Sequence, residues 1–92
     1  MTGQAQHSVH QDVTARVRSV VATATELGSK ERPITDQASL WDAGMDSLAS
    51  VRAMIAIESE FSIEFPDEML NRQTFESISS IAEAVTSLLA SE

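Results

Sequence analysis

Apolar positions along this 92-residue chain fall into stretches with the three-and-four spacing of amphipathic helices. Val9, Val13, Val17, Val20, Val21, Ala24 and Leu27 define the first. Ser8 with Gln11 three residues later can form a capping box at its start, and Gly28 can take the left-handed conformation that ends it. Residues 29–46 show no helical period and contain Pro33 and Gly44, which predicts a long loop. Loops of that length are functional or carry packing of their own. Leu40 and Trp41 are the residues that can pin this one to a core, although Trp41 could instead meet a partner.

A second helix is predicted from Asp46 or Ser47 to about Glu60, with Asp46 as N-cap and its carboxylate at the positive end of the helix dipole. Ser62 and the Phe65-Pro66 step break the pattern, because the residue before a proline avoids helical angles. Pro66-Asp67-Glu68-Met69-Leu70 can open a short third helix. Ile78, Ile81, Val85, Leu88 and Leu89 mark the last, capped by Thr74 or Ser77. No stretch alternates with period two, so no sheet is expected. The reading is an all-α bundle of three longer helices and one short one. Residues 9–89 form the domain, and residues 1–8 are a flexible N-terminal tail.

The second helix carries two apolar stripes. Met54, Ile57 and Phe61 share one, and Leu48, Val51 and Ile55 lie roughly a quarter-turn or more away. Either this helix is central and buries both, or the second stripe stays partly exposed as a binding surface. Ser47 sits between the stripes at the end of the helix that favours anions, well placed to carry a phosphate. Met45, just before it, is read either as exposed beside that site or as an anchor folding onto the helix.

Composition narrows the chemistry. The formal charge of −8 argues against a nucleic-acid or anionic-membrane partner. It is concentrated in residues 42–76, where eight acids face two bases, while residues 1–34 hold four bases and three acids. That acidic middle is either a solvated surface or a handle for basic partners. The absence of cysteine excludes a disulfide scaffold, a thiolate zinc site and a Cys nucleophile. His7 and His10, the only histidines, lie in the N-terminal segment without metal-pair spacing, and Asp42 with Asp46 alone would hold a cation weakly. A serine hydrolase would need a base, and no Gly-x-Ser-x-Gly elbow is present. No metal site and no catalytic residue are expected, and the chain is not read as an enzyme. The N-terminus lacks basic and apolar signal regions, so secretion is not expected and a cytoplasmic location is. The chain is expected to be a monomer.

Residues 40–48 read Leu-Trp-Asp-Ala-Gly-Met-Asp-Ser-Leu. Here the chain resembles the acyl carrier and peptidyl carrier protein family, whose attachment motif is Gly, a variable residue, then Asp-Ser-Leu. Gly44, Asp46, Ser47 and Leu48 match it position by position, Leu40 and Asp42 match a looser pattern, and Phe61, Phe65 and Pro66-Asp67-Glu68 follow. The similarity covers roughly residues 9–89 and implies the four-helix carrier-protein bundle. It implies that a phosphopantetheinyl transferase moves 4′-phosphopantetheine from coenzyme A onto Ser47, with Asp46 helping that enzyme bind magnesium and Leu48 touching it. The arm's thiol would then hold an acyl or aminoacyl group as a thioester, supplying the sulfur that the chain lacks. Loading enzymes and downstream acceptors would approach through Met45, Leu48, Val51, Arg52 and Ile55.

Carriers of the fatty-acid type usually have an acidic residue where this chain has Arg52, and Ser59 is neutral where they are often acidic. The chain is similar instead to discrete bacterial carriers loaded with amino acids by free-standing ligases, some resembling seryl-tRNA synthetases. A fatty-acyl or polyketide carrier is the rival within the family. An unmodified helical interaction module, with Asp-Ser-Leu serving only as a cap, is the rival outside it.

Overall fold

A computed structural model describes residues 3–25, 27 and 34–91. It contains helix α1 (Gly3–Thr25), helix α2 (Ser47–Phe61), a single 3₁₀ turn (Asp67–Met69) and helix α3 (Ile78–Ala90), with no strand among the described residues. The expected short third helix is therefore one 3₁₀ turn, opened by Pro66 and closed by the Leu70 amide on the Asp67 carbonyl. The expected terminator Gly28 lies outside the described residues.

The start of α1 differs from the expectation. The helix begins at Gly3, so Ser8 lies inside it and does not cap it, and residues 3–8 are helical. Gln4, Ala5 and Gln6 are good helix formers with no breaker among them, so the backbone can continue past the last core-facing valine.

Val13, Val17 and Val21 of α1 are buried against Ala53, Ile57 and Phe61 of α2 and Ile78, Ile81, Ala82 and Val85 of α3. Each such valine, isoleucine or phenylalanine contributes about 1.5–3 kcal/mol on leaving water, before entropy is counted. Helix α1 packs against both of the others. It is the central helix of the three, and α2 keeps its second stripe uncovered.

Two ends are set by local chemistry. Ser62 adopts φ 56°, and its amide bonds to the Glu58 carbonyl to close α2. Ser77 caps α3 in a reciprocal box with Ser80, each backbone N–H donating to the other's hydroxyl at 3.0 Å.

The connection before α2 is fastened along its described length. Asp36 pairs with Arg18 of α1, and its carbonyl accepts the Ser79 amide of α3 at 2.8 Å. The Leu40 amide donates to the Glu76 carbonyl at 2.7 Å, and the Leu40 side chain is fully buried. A polar segment thus stays ordered because its backbone groups find partners on α3 and on the residues just before it.

Candidate functional site

The loop reverses at Gly44, whose φ of +117° disfavours any other residue. The Met45 amide then bonds back to the Leu40 carbonyl at 3.0 Å. This reversal turns Met45 inward, where only 4% of it is exposed. The expectation that Met45 lines a partner surface is therefore corrected: its side chain is buried in the core together with Leu40.

Asp46 follows in an extended conformation as the N-cap of α2, its carboxylate accepting the Ala49 amide at 2.8 Å. Ser47 is the first residue of the helix and is exposed. Its carbonyl accepts the Ser50 hydroxyl at 2.8 Å, while its own hydroxyl makes no hydrogen bond to the described residues. The Ser47 hydroxyl thus stands on a capped backbone, without a hydrogen-bond partner among the described residues.

Leu48, Val51 and Ile55 are exposed at 60%, 46% and 56%, and Arg52 stands exposed between them. Of the two stripes, Ile57 and Phe61 are buried and Met54 half-buried, so the exposed-stripe alternative holds. Three neighbouring apolar side chains left in water at the end of a helix form a surface of the kind that partners cover.

Beside Ser47 opens a cleft of about 490 Å³. Trp41, Val51, Met54, Leu70 and Phe75 give it an apolar wall. Ser50 and Asn71 add neutral polar atoms, and Arg72 is the charged residue that reaches it. Trp41 proves to be a loop anchor as well as part of this wall: its indole N–H donates to the Arg72 carbonyl at 3.1 Å. The Arg72 guanidinium in turn lies 4.4 Å over its ring. Sequence reasoning missed Leu70, Asn71, Arg72 and Phe75 as neighbours of Ser47. They lie in a stretch without periodicity, some 25 residues away, and no local signal brings them to α2.

A helical domain that presents a free serine hydroxyl at a capped helix start, flanked by exposed apolar residues and a cleft, has the architecture of a carrier for a covalently held group. Residues 15–85 match the family described as phosphopantetheine attachment site. The chain belongs to this family, the phosphopantetheine-bearing carrier proteins.

An aminoacyl carrier protein of Agrobacterium fabrum is 42% identical over 77 residues, spanning 84% of this chain and 93% of that protein. Among solved structures, similarity extends to a chain in a complex of an engineered Bradyrhizobium japonicum glycine:[carrier protein] ligase with carrier protein from Agrobacterium tumefaciens and ATP. Its TM-score is 0.74 at 42% identity, covering 80% of this chain and 96% of that one. A complex of the Bradyrhizobium japonicum ligase with glycylated carrier protein gives a TM-score of 0.61 at 25% identity, covering 76% and 97%.

The family's prosthetic group, and this chain's, is covalently attached 4′-phosphopantetheine. The residues at the start of α2 fit it. A phosphodiester needs an accessible hydroxyl and favours the N-terminal end of a helix, and the elongated, amide-bearing arm suits a cleft with apolar walls and scattered polar atoms. Among the described residues no helix is long and apolar enough to cross a membrane.

Proposed function

We propose that Ser47 is the attachment residue and that the chain carries an amino acid between enzymes as a thioester. The observation that carries this is the free, exposed Ser47 hydroxyl at the first position of α2, directly after the capping residue Asp46. In the modification, the Ser47 oxygen forms a bond to the phosphorus of the incoming phosphopantetheinyl group as the pyrophosphate linkage of coenzyme A breaks. The serine proton leaves to a base of the transferase, and the bisphosphorylated adenosine is released. When bound, the arm supplies a thiol that holds the cargo. Ser47 anchors it, the Asp46 cap fixes the geometry of that anchor, and Asp46 with Leu48 meets the transferase.

The chain itself contributes no catalytic step. Its partners are a phosphopantetheinyl transferase, a free-standing aminoacyl ligase of seryl-tRNA-synthetase-like type and an acceptor enzyme, all approaching through Leu48, Val51, Arg52 and Ile55. Support for the cargo comes from the 42% identity with an aminoacyl carrier protein and from the glycine ligase complexes of similar chains. The Arg52 cation on the presented face supports a partner set unlike that of an acidic fatty-acid carrier. We infer that the chain acts as a monomer, and in the cytoplasm, where the coenzyme A and ATP needed for modification and loading are found.

The test is loading of the modified protein by a glycine:[carrier protein] ligase with ATP and single amino acids, read by intact mass. A thioester-bound amino acid, released by hydroxylamine, is expected. A holo protein that accepts no amino acid but is acylated by a fatty-acyl ligase would move the assignment to the fatty-acyl rival.

A further inference from the structure

The arrangement of Arg72 goes beyond what carrying a cofactor requires. Arg72 is the charged residue lining the cleft beside Ser47, and among the described residues no carboxylate lies within ion-pair distance of it. Arg16 and Arg18, by contrast, are paired with Glu60 and Asp36. Nor is the Arg72 side chain loose, since it lies 4.4 Å over the Trp41 ring while its backbone carbonyl accepts the Trp41 indole N–H. The two residues meet through a ring face and a backbone hydrogen bond, which holds the exposed guanidinium against Trp41 at the cleft. In a chain of net charge −8, a prepositioned cation without a carboxylate is set up for an anion.

Resting on the attachment at Ser47 proposed above, we infer that Arg72, held by Trp41, is a positioning residue that pairs with the phosphodiester on Ser47 and draws the arm against the cleft. Ser47, Trp41 and Arg72 line the same cleft, so the anion would be created in the space that the Arg72–Trp41 pair borders. Guanidinium suits this task better than ammonium, because its planar fork meets two phosphate oxygens while its face stays on the indole. The pairing biases the resting orientation of the arm towards the apolar wall. A partner that covers the exposed residues of α2 would then have to draw the arm away.

Trp41 is the sole tryptophan, so its emission reports on this cleft alone. The experiment compares apo and holo forms of the wild type, Arg72→Gln and Arg72→Met, after intact mass has shown complete modification of each holo form. A protein that cannot be modified at Ser47 overturns the attachment assignment itself. Once modification is shown, the wild type is expected to change its Trp41 emission and the ³¹P shift of its phosphodiester to reflect the cleft. Both substitutions should remove most of the apo-to-holo emission change and move the ³¹P line, with helical circular dichroism unchanged. Arg72→Met keeps an apolar stem over the indole, separating loss of charge from loss of packing. If either variant fails to fold, the wild type alone still decides: the emission change should shrink as salt rises from about 0.05 to about 1 M. An emission change that persists unaltered in the variants or is insensitive to salt, or no change in the wild type, overturns the inference.

Discussion

The Asp46 carboxylate accepts the Ala49 amide at 2.8 Å, and the serine of the motif lies in the turn closed by that bond. The same contact that starts the helix fixes the backbone of Ser47. Asp46→Ala should therefore lower stability by about 1 kcal/mol, the usual loss for an N-cap. Asp46→Asn should retain most of it, since an amide oxygen can accept the same N–H. If Asp46 also meets the transferase through its charge, Asn will fold like the wild type yet be modified more slowly. Thermal melts beside a time course of modification separate the two roles, and equal modification rates for Asn and wild type would confine Asp46 to capping.

Met45 and Val51 stand six positions apart and should behave oppositely. Met45 is 4% exposed, so Met45→Ala leaves a cavity and should cost about 2–5 kcal/mol. Val51 is 46% exposed and lies on the uncovered face of α2, so Val51→Ala should change stability little while weakening association with a loading ligase. Chemical denaturation and ligase titration of both variants check this, and a ligase-binding defect in a stably folded Met45 variant would contradict the burial of that residue.

Gly44→Ala should destabilise by about 1 kcal/mol through backbone strain alone. An added Cβ would meet the Leu27 side chain at an ordinary 3.9 Å, so the cost lies in the φ of +117°. Gly44→Asn, which tolerates positive φ better, should recover part of the loss. Melting curves of the pair measure the difference, and equal melting of the Ala variant and wild type would contradict strain at this position.

Much of the fold is legible in the sequence because most helices here bury one stripe. The period of Ile57 and Phe61 against Leu48, Val51 and Ile55 reveals both faces of α2, but not which is covered. That depends on α1 being central, a tertiary fact. Asp46 and Ser77 are legible as caps because capping is local. The start of α1 is not, because the helix runs on through residues that contribute no apolar period. Met45 eludes sequence reasoning for a related reason: its direction follows from the reversal at Gly44 and the bond to Leu40. The cleft is least legible, since Leu70, Arg72 and Phe75 reach Ser47 only through the path of a loop.

Arg52→Glu should change the rate of ligase loading more than it changes stability, because an exposed helix position tolerates either residue. The effect should fade as ionic strength rises, as expected for steering between charged surfaces. Loading kinetics at two salt concentrations provide the check. Rates equal to wild type at low salt would remove Arg52 from the interface.

The central claim rests on one hydroxyl. Intact mass spectrometry after incubation with coenzyme A, magnesium and a promiscuous phosphopantetheinyl transferase tests it most directly. The wild type should gain the mass of one phosphopantetheine, and Ser47→Ala, folded and otherwise identical, should gain none. A wild type that stays unmodified while folded, or a Ser47→Ala variant that still takes up the group, would contradict the assignment of Ser47.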